Sequence, residues 1–371
     1  MKKIRKERVV VAMSGGVDSS VAAALLKRDG FDVVGVFMKF WKPRIDTDKT
    51  DLYGFENRCC SAEAEKRARK VAEILDIPFY VFNFEKEFKK KVVDYFLAEY
   101  RAGRTPNPCV VCNKEIKFGL LFKKALSLDA DYIATGHYAR IQETKYKLLK
   151  GKDKNKDQSY FLWKLNQKML EKILFPVGDY TKTEVRKLAK KFKLPVLNIP
   201  ESQEICFVQT TISNFFKKYL KTKLGKIVDK EGETIGKHLG LHFYTIGQRR
   251  GIELSGPAFA RLWRASAGKP FYVLDKDLKK NVLIVTKNEK DLYKKELIAK
   301  NVNWVSGKEP KMPLKVKARI RYRHSEVSAT IKKQKNGRIK VVFSRAQRAV
   351  TPGQSVVFYK GQELLGGGMI I

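Results

Sequence analysis

The stretch Ala12-Met13-Ser14-Gly15-Gly16-Val17-Asp18-Ser19-Ser20 constrains the fold more than any other part of the chain. An apolar run, Val9 to Val11, precedes it, and Val21, Ala24, Leu25 and Leu26 follow at helical spacing. The pattern reads as a strand, a tight glycine turn and the start of a helix. Glycines let backbone N–H groups come close to an anion, and a helix N-terminus favours negative charge. Ser14, Ser19 and Ser20 add hydroxyl donors. Asp18 is the odd member, because a carboxylate beside a phosphate is repelled unless a metal or an ordered N–H intervenes. The stretch therefore reads as a phosphate cradle whose carboxylate is placed to hold Mg²⁺.

The Gly-Lys-Ser/Thr ending of a Walker A loop is missing, and so is the Rossmann glycine fingerprint. Ser-Gly-Gly-x-Asp-Ser instead resembles the pyrophosphate loop of the N-type ATP pyrophosphatases. That resemblance implies cleavage of ATP to AMP and PPi while a carbonyl oxygen is adenylated. An ordinary serine-capped turn is the alternative, and the agreement of strand, turn and helix speaks against it.

The first half of the chain alternates strand-like and helix-like segments. Phe31 to Phe40 and Phe79 to Phe84 read as strands, and Ala130 to Ile141 holds another. Ser61 to Leu75 and Glu85 to Tyr100 read as helices, and Thr181 with Glu184 forms a capping box ahead of a helix that Pro195 stops. Such alternation predicts a doubly wound parallel sheet, with ligands at the C-terminal strand ends. Ser14 to Ser20, Met38 and Gly136 all fall at such ends. After Phe207 a short helix, Thr210 to Tyr219, leads into glycine-punctuated short strands. From about Asn281 the pattern is all-β, as in a small barrel. The expected division is a catalytic α/β domain at 1–208, a small β-rich central domain at 209–282 and a C-terminal β-barrel at 283–371.

A second signal is Arg104-Thr105-Pro106-Asn107-Pro108-Cys109-Val110-Val111-Cys112-Asn113-Lys114. Asn113 reads as the N-cap of a helix running through Ile116, Leu120 and Leu126. Cys112 then sits just outside a helix N-terminus, next to Lys114, and both features favour thiolate. The Cys-x-x-Cys pair has no second pair to complete a zinc site, and buried structural thiols are the plainer alternative. A third signal, Pro200-Glu201-Ser202-Gln203-Glu204-Ile205-Cys206-Phe207-Val208, places Cys206 on a short strand after a polar loop. Alone, Cys206 reads as packing. The adjacent Cys59 and Cys60 have no assigned role.

Ala-Met-Ser-Gly-Gly-Val-Asp-Ser, Thr-Pro-Asn-Pro-x-x-x-Cys-Asn-Lys, Gly-His-Tyr-Ala, Lys-Asp-Gln-Ser-Tyr-Phe-Leu, Ser-Gln-Glu-Ile-Cys-Phe and Gly-Gln-Arg-Arg-Gly occur in this order. Together they resemble the bacterial tRNA-specific 2-thiouridylases over nearly the whole chain. The resemblance implies that ATP adenylates O2 of the wobble uracil of a tRNA. It implies that Cys206 carries a persulfide and that Cys112 is the nucleophile that cleaves it, passing through a transient Cys112–Cys206 disulfide. The nucleotide would lie along Ala12, Met13, Ser14, Gly15, Gly16, Val17, Asp18 and Ser19, with Met38 and Gly136 close by. The implied tRNA contacts are Asn107, Pro108, Cys109, His137, Lys156, Asp157, Gln158, Arg321, Tyr322 and Gln354, with Gln248 to Gly251 as a further basic stretch. A sulfur-relay protein or a cysteine desulfurase would load Cys206. One departure is Cys109, where better-known relatives carry Asp. Cys109 is a proton relay, a peripheral thiol, or a ligand with Cys112 and Cys206 of a [4Fe–4S] cluster, as in related thiolation enzymes.

Charge agrees with an RNA partner. Lys and Arg number 77 against 39 Asp and Glu, a net charge of +38. Lys315 to His324 alternates basic and apolar residues, which on one strand would line Lys315, Lys317, Arg319, Arg321 and Arg323 along a single face. A polyanion would relieve that row of like charge. No apolar run is long enough to span a membrane, and the cysteine usage suits a cytoplasmic protein. The rival readings are a lysidine- or cytidine-modifying ATP pyrophosphatase and a non-catalytic RNA-binding protein.

Overall fold

The computed structural model describes residues 6–42, 61–197, 199, 205–208, 211–252, 254–255, 259 and 269–371. Cys59, Cys60 and the Pro200–Glu204 part of the third signal lie outside the described residues.

The glycine turn joins β1 (Arg8–Ala12) to α1 (Val17–Arg28), as the sequence predicts. β1 lies between β2 (Asp32–Lys39) and β4 (Tyr132–Ala134), and the parallel sheet has the order β3-β2-β1-β4-β7, with β3 at Phe79–Asn83 and β7 at Ile173–Leu174. Its side chains alternate between two cores. Val9 and Val11 join α1, α2 (Ala62–Ile74) and the helix at Lys182–Lys191 through Val21, Ala68 and Val185. Val10 and Ala12 face the opposite core, with Phe88, Phe96, Ile116 and Leu121. Burial on both faces is what makes β1 a continuous valine run.

Between β3 and β4 the chain is helical. α3 (Glu85–Phe88) runs through a π turn at Lys89–Val93 into α4 (Asp94–Arg101), and α5 (Pro108–Cys112) runs through a second, Asn113–Leu120, into α6 (Leu121–Leu126). The strand expected within Ala130–Ile141 is β4, which ends at Ala134. Gly136 and His137 follow it, and β5 (Ala139–Gln142) turns away to form a hairpin with β6 (Lys147–Lys150).

That hairpin leaves the parallel sheet altogether. β12 (Tyr293–Trp304), β13 (Leu314–Arg319), β14 (Val327–Lys333), β15 (Ile339–Arg348), β16 (Ser355–Lys360) and β17 (Glu363–Ile370) close into a barrel through the β12–β17 pairing. β6 attaches to the start of β17, where Glu363 stands opposite Leu149. Residues 139–150 are thus an outrigger of the C-terminal barrel.

After α7 (Gln167–Leu170), α8 (Lys182–Lys191) and α9 (Ile212–Tyr219), a smaller sheet has the order β10-β11-β8-β9, with β8 at Gly225–Val228, β9 at Thr234–His238, β10 at Tyr272–Asp277 and β11 at Val282–Thr286. β11 pairs with β8 and β10 on its two sides, so the position 282/283 at which the sequence divides the chain lies inside a strand of this sheet. Among the described residues no helix is long and apolar enough to cross a membrane.

Candidate active site

The glycine turn is tied by its own hydroxyls. Ser14 N donates to Ser19 Oγ at 3.1 Å, and Ser19 and Ser20 Oγ donate to Gly16 O at 3.2 and 2.9 Å. Gly15 has φ +72, and a Cβ there would collide with the Ala64 carbonyl of α2. Gly136 is needed for a different reason: a Cβ would stand 2.7 Å from the backbone of Asp18 and Ser19, so only glycine lets the end of β4 abut the start of α1. No side chain caps the α1 N-terminus, where Gly16 is the N-cap, so its N–H groups can serve an anion. Ala12, Met13 and Val17 are buried and offer only their backbone. Met38 sits near the C-terminal end of β2 with its side chain in the core.

Asp18 is not alone at this mouth. Its Oδ1 accepts from Lys182 Nζ at 2.6 Å and from Tyr138 OH at 2.7 Å. Lys182 is the first residue of α8, placed by the capping box of Thr181 and Glu184. Sequence reasoning missed both partners, although Tyr138 lies inside the Gly-His-Tyr-Ala motif and Lys182 directly follows the cap. The arrangement suits Mg²⁺: one hard carboxylate beside phosphate-binding groups is a common way to hold that ion. A recess of about 600 Å³ lined by Arg8, Asp32, Asp76 and Asp129 opens at the opposite, N-terminal strand ends, away from these groups.

The cysteines sit on different supports from those expected. Asn107, not Asn113, is the N-cap, and Pro108 is the first helical residue. Proline's fixed φ favours that position, so the Asn-Pro pair is a helix start rather than a rigid approach. Cys109 therefore occupies the first turn, where the helix dipole acts most strongly, and Cys112 lies one turn further in, buried. Cys206 is in a turn, not on a strand. Phe207 anchors that turn, its ring 5.2 Å from Phe96 and 5.8 Å from Phe88 and Phe215. Cys112 and Cys206 border one continuous apolar core. None of Cys109, Cys112 and Cys206 forms a disulfide in the structure. Among the described residues no three His, Cys, Asp or Glu side chains gather as a metal-binding group; Cys109 is exposed, Cys112 is buried and Cys206 lies between the two in exposure.

Several expected tRNA contacts converge on α5. Asn113 Nδ2 donates to Phe161 O at 3.2 Å, and the Tyr322 ring lies 4.5 Å from that of Phe161. Tyr160 OH donates to Ser355 O at 2.9 Å, and the Asn107 side chain also bonds this phenol. Gln354 Nε2 donates to the carbonyls of Thr105 and Pro106 at 2.8 and 3.2 Å. Gln354 thus holds the chain that enters α5. His137 accepts or donates at Nδ1 to Thr135 Oγ1 at 2.7 Å, and burial beside Phe118 and Phe175, with Lys117 near, lowers its pKa well below the usual range. It stays neutral at pH 7.

Two groups of expected contact residues are engaged within the fold. Asp157 is buried, with Oδ1 accepting from Gly151 N and Ser159 N and Oδ2 paired with Arg319 at 3.1 Å, so it shapes the 151–158 turn from within. Gln158 Oε1 accepts from Tyr138 N at 3.1 Å, and Lys156 is half-buried on the same turn. The basic ridge of Lys315 to Arg323 is also not continuous. β13 ends at Arg319, which is engaged with Asp157 and with Glu326 at 2.7 Å. Arg321 donates to Ala349 O and Thr351 Oγ1 at 2.7 and 2.6 Å. Lys315, Lys317 and Arg323 remain exposed.

Three family models match the chain in succession: a tRNA methyl transferase HUP domain over 7–210, a tRNA methyl transferase PRC-barrel domain over 213–287, and an aminomethyltransferase beta-barrel domain over 294–370. The chain is 47% identical to the tRNA-specific 2-thiouridylase MnmA of Clostridioides difficile over 98% of each chain. It is 46% identical to that of Carboxydothermus hydrogenoformans over 100% of this chain and 99% of the relative. With that of Halothermothrix orenii it shares 48% identity over 98% of this chain and 99% of the relative.

Proposed function

The chain belongs to the family of tRNA-specific 2-thiouridylases, and on that footing we propose how its residues divide the work. The reaction is ATP-dependent 2-thiolation of the wobble uridine of tRNA. ATP sits with its phosphates on Ser14, Gly15, Gly16 and Ser19 at the α1 N-terminus. Uracil O2 attacks the α-phosphorus, the bond to the bridging oxygen breaks, and PPi leaves. Asp18 is the residue that would hold Mg²⁺, which supplies charge neutralisation to the departing phosphates when bound. Lys182 adds a fixed positive charge at the same mouth.

The second half is sulfur chemistry. A sulfur-relay protein or a cysteine desulfurase loads Cys206 as a persulfide. Its terminal sulfur attacks C2, forming the C–S bond, and AMP leaves. The Cys112 thiolate then attacks Cys206 Sγ. The bond from Cys206 to the transferred sulfur breaks, its electron pair stays on that sulfur as the thiocarbonyl, and a Cys112–Cys206 disulfide remains for an external thiol to reduce. Cys109 stands at the target-base end of α5 as a peripheral thiol or proton relay. These steps run through thiols and a persulfide and require no iron–sulfur cluster. Tyr322, Asn107, His137, Lys156, Gln158 and Gln354 line the tRNA side, and the overall basic charge supplies the non-specific attraction.

The observation that supports this reading is that the two thiols, distant in sequence, share one apolar core, Cys112 within it and Cys206 packed against it. Cys112→Ser and Cys206→Ser should each abolish 2-thiouridine formation, read by nucleoside mass spectrometry, while tRNA-dependent PPi release continues. Thiolation persisting in either variant would overturn the assignment.

A further inference from the structure

The chain between α4 and α5, residues 102–107, has no regular structure, yet successive peptides are held by different parts of the molecule. Arg104 forks onto Glu99 of α4 at 2.6 and 2.7 Å. From the barrel, Pro352 O accepts from Thr105 N at 2.9 Å. From the small sheet and the connection between its strands β9 and β10, Lys276 Nζ donates to Gly103 O at 3.2 Å, and Thr245 Oγ1 meets Thr105 Oγ1 at 3.2 Å. Gly103 has φ +71, and a Cβ there would stand 2.6 Å from Leu278 Cδ2, so the β10–β11 turn presses directly on this residue.

Lys276 is an unusual residue to find here. Burial pulls its pKa down to about 8, against the opposing charge of Asp275. A half-buried lysine bonded to one carbonyl is normally no more stable than an apolar side chain of similar size. Packing therefore does not explain the ammonium. Its placement explains it better, because Nζ grips the chain shortly before it enters the helix that bears Cys112.

We propose that Lys276 is a positioning residue for Cys112, holding the 102–107 segment so that α5 presents the thiol in register with Cys206. The small sheet then acts on the sulfur step through Lys276, by way of the 102–107 segment. This rests on the role given to Cys112 above.

The test compares Lys276→Met, Lys276→Arg and Thr245→Val in the full-length enzyme. Displacement of a reacting group by about 1 Å can cost on the order of 100-fold, so Lys276→Met should lower kcat for thiolation roughly 10- to 100-fold. KM for tRNA and ATP, and tRNA-dependent PPi release, should stay within about twofold. The rate at which iodoacetamide alkylates Cys112, followed by peptide mass spectrometry, should change by at least about threefold, with Cys109 as the internal reference on the same helix. Lys276→Arg should restore most of both. Wild-type thiolation and alkylation in Lys276→Met, or a parallel loss of PPi release and thiolation, would overturn the proposal. If Lys276→Met does not fold, Thr245→Val carries the same comparison with a smaller effect. Alkylation reports on the position of Cys112 whether or not that thiol is the nucleophile, so failure of its assigned role, read in Cys112→Ser, is separable from failure of this proposal.

Discussion

The proposed nucleotide mouth and the proposed sulfur mouth of this enzyme are built by opposite strategies. The first is made almost wholly by neighbours in one parallel sheet: a turn between β1 and α1, a glycine after β4, and a lysine opening α8. The second is made by consent of distant parts. Gln354 of the barrel, Thr245 and Lys276 of the small sheet's region, and Phe161 beyond the β5–β6 hairpin all fix the surroundings of Cys112. Adenylation should therefore be robust to damage elsewhere, and sulfur transfer should be sensitive to it.

That contrast can be broken most directly at Asp18. Asp18→Asn removes the charge that faces Lys182 and the phosphates, and should reduce PPi release on the order of 10²- to 10³-fold. Alkylation rates of Cys112 and Cys206 should not move; if they did, the two mouths would not be independent. The next largest effect is expected at the seam. Asp157→Ala takes one of two carboxylates from the buried Arg319, leaving Glu326, and frees two backbone donors, a loss of about 3 kcal/mol by urea denaturation. Thiolation should suffer more than ATP binding to the free enzyme, which calorimetry would measure.

The smallest effect is a pH dependence. Burial, with Lys276 near, lowers the His242 pKa from its ordinary value of 6.5 to about 4. A histidine whose folded pKa is depressed contributes full stability above 6.5 and loses it as pH falls toward 4. His242→Phe, which keeps a ring against Phe216 and Phe243, should flatten the decline in melting temperature over that window. An unchanged acid limb would show that the small sheet does not titrate through this residue.

The same contrast explains what can be read in advance. The individual strands of the sheet, the glycine turn and the α8 cap are local: their residue types and spacing determine them within a dozen positions. The start of α5 is ambiguous in sequence because Asn107-Pro108 and Asn113 both satisfy local capping rules, and only the packing of Pro108 to Cys112 into the core decides between them. The alternation in Lys315 to His324 is legible, and Val316, Ala318 and Ile320 are indeed buried in the barrel. Its outward row is not, because the partners of Arg319 and Arg321 are Asp157, Ala349 and Thr351, which no spacing connects to them. Arg323, at φ +62, ends the pattern in a left-handed turn without a glycine to announce it.

The β5–β6 hairpin has a consequence for biogenesis. It leaves the ribosome long before the strand it pairs with, since its docking partner begins at Glu363. Until that strand is made, the earlier half exposes an unpaired edge, a surface that chaperones recognise and other chains can stick to. β17 pairs with both β12 and β6, so one strand seals barrel and outrigger together, and a stop before Glu363 leaves the earlier-made hairpin without its docking strand.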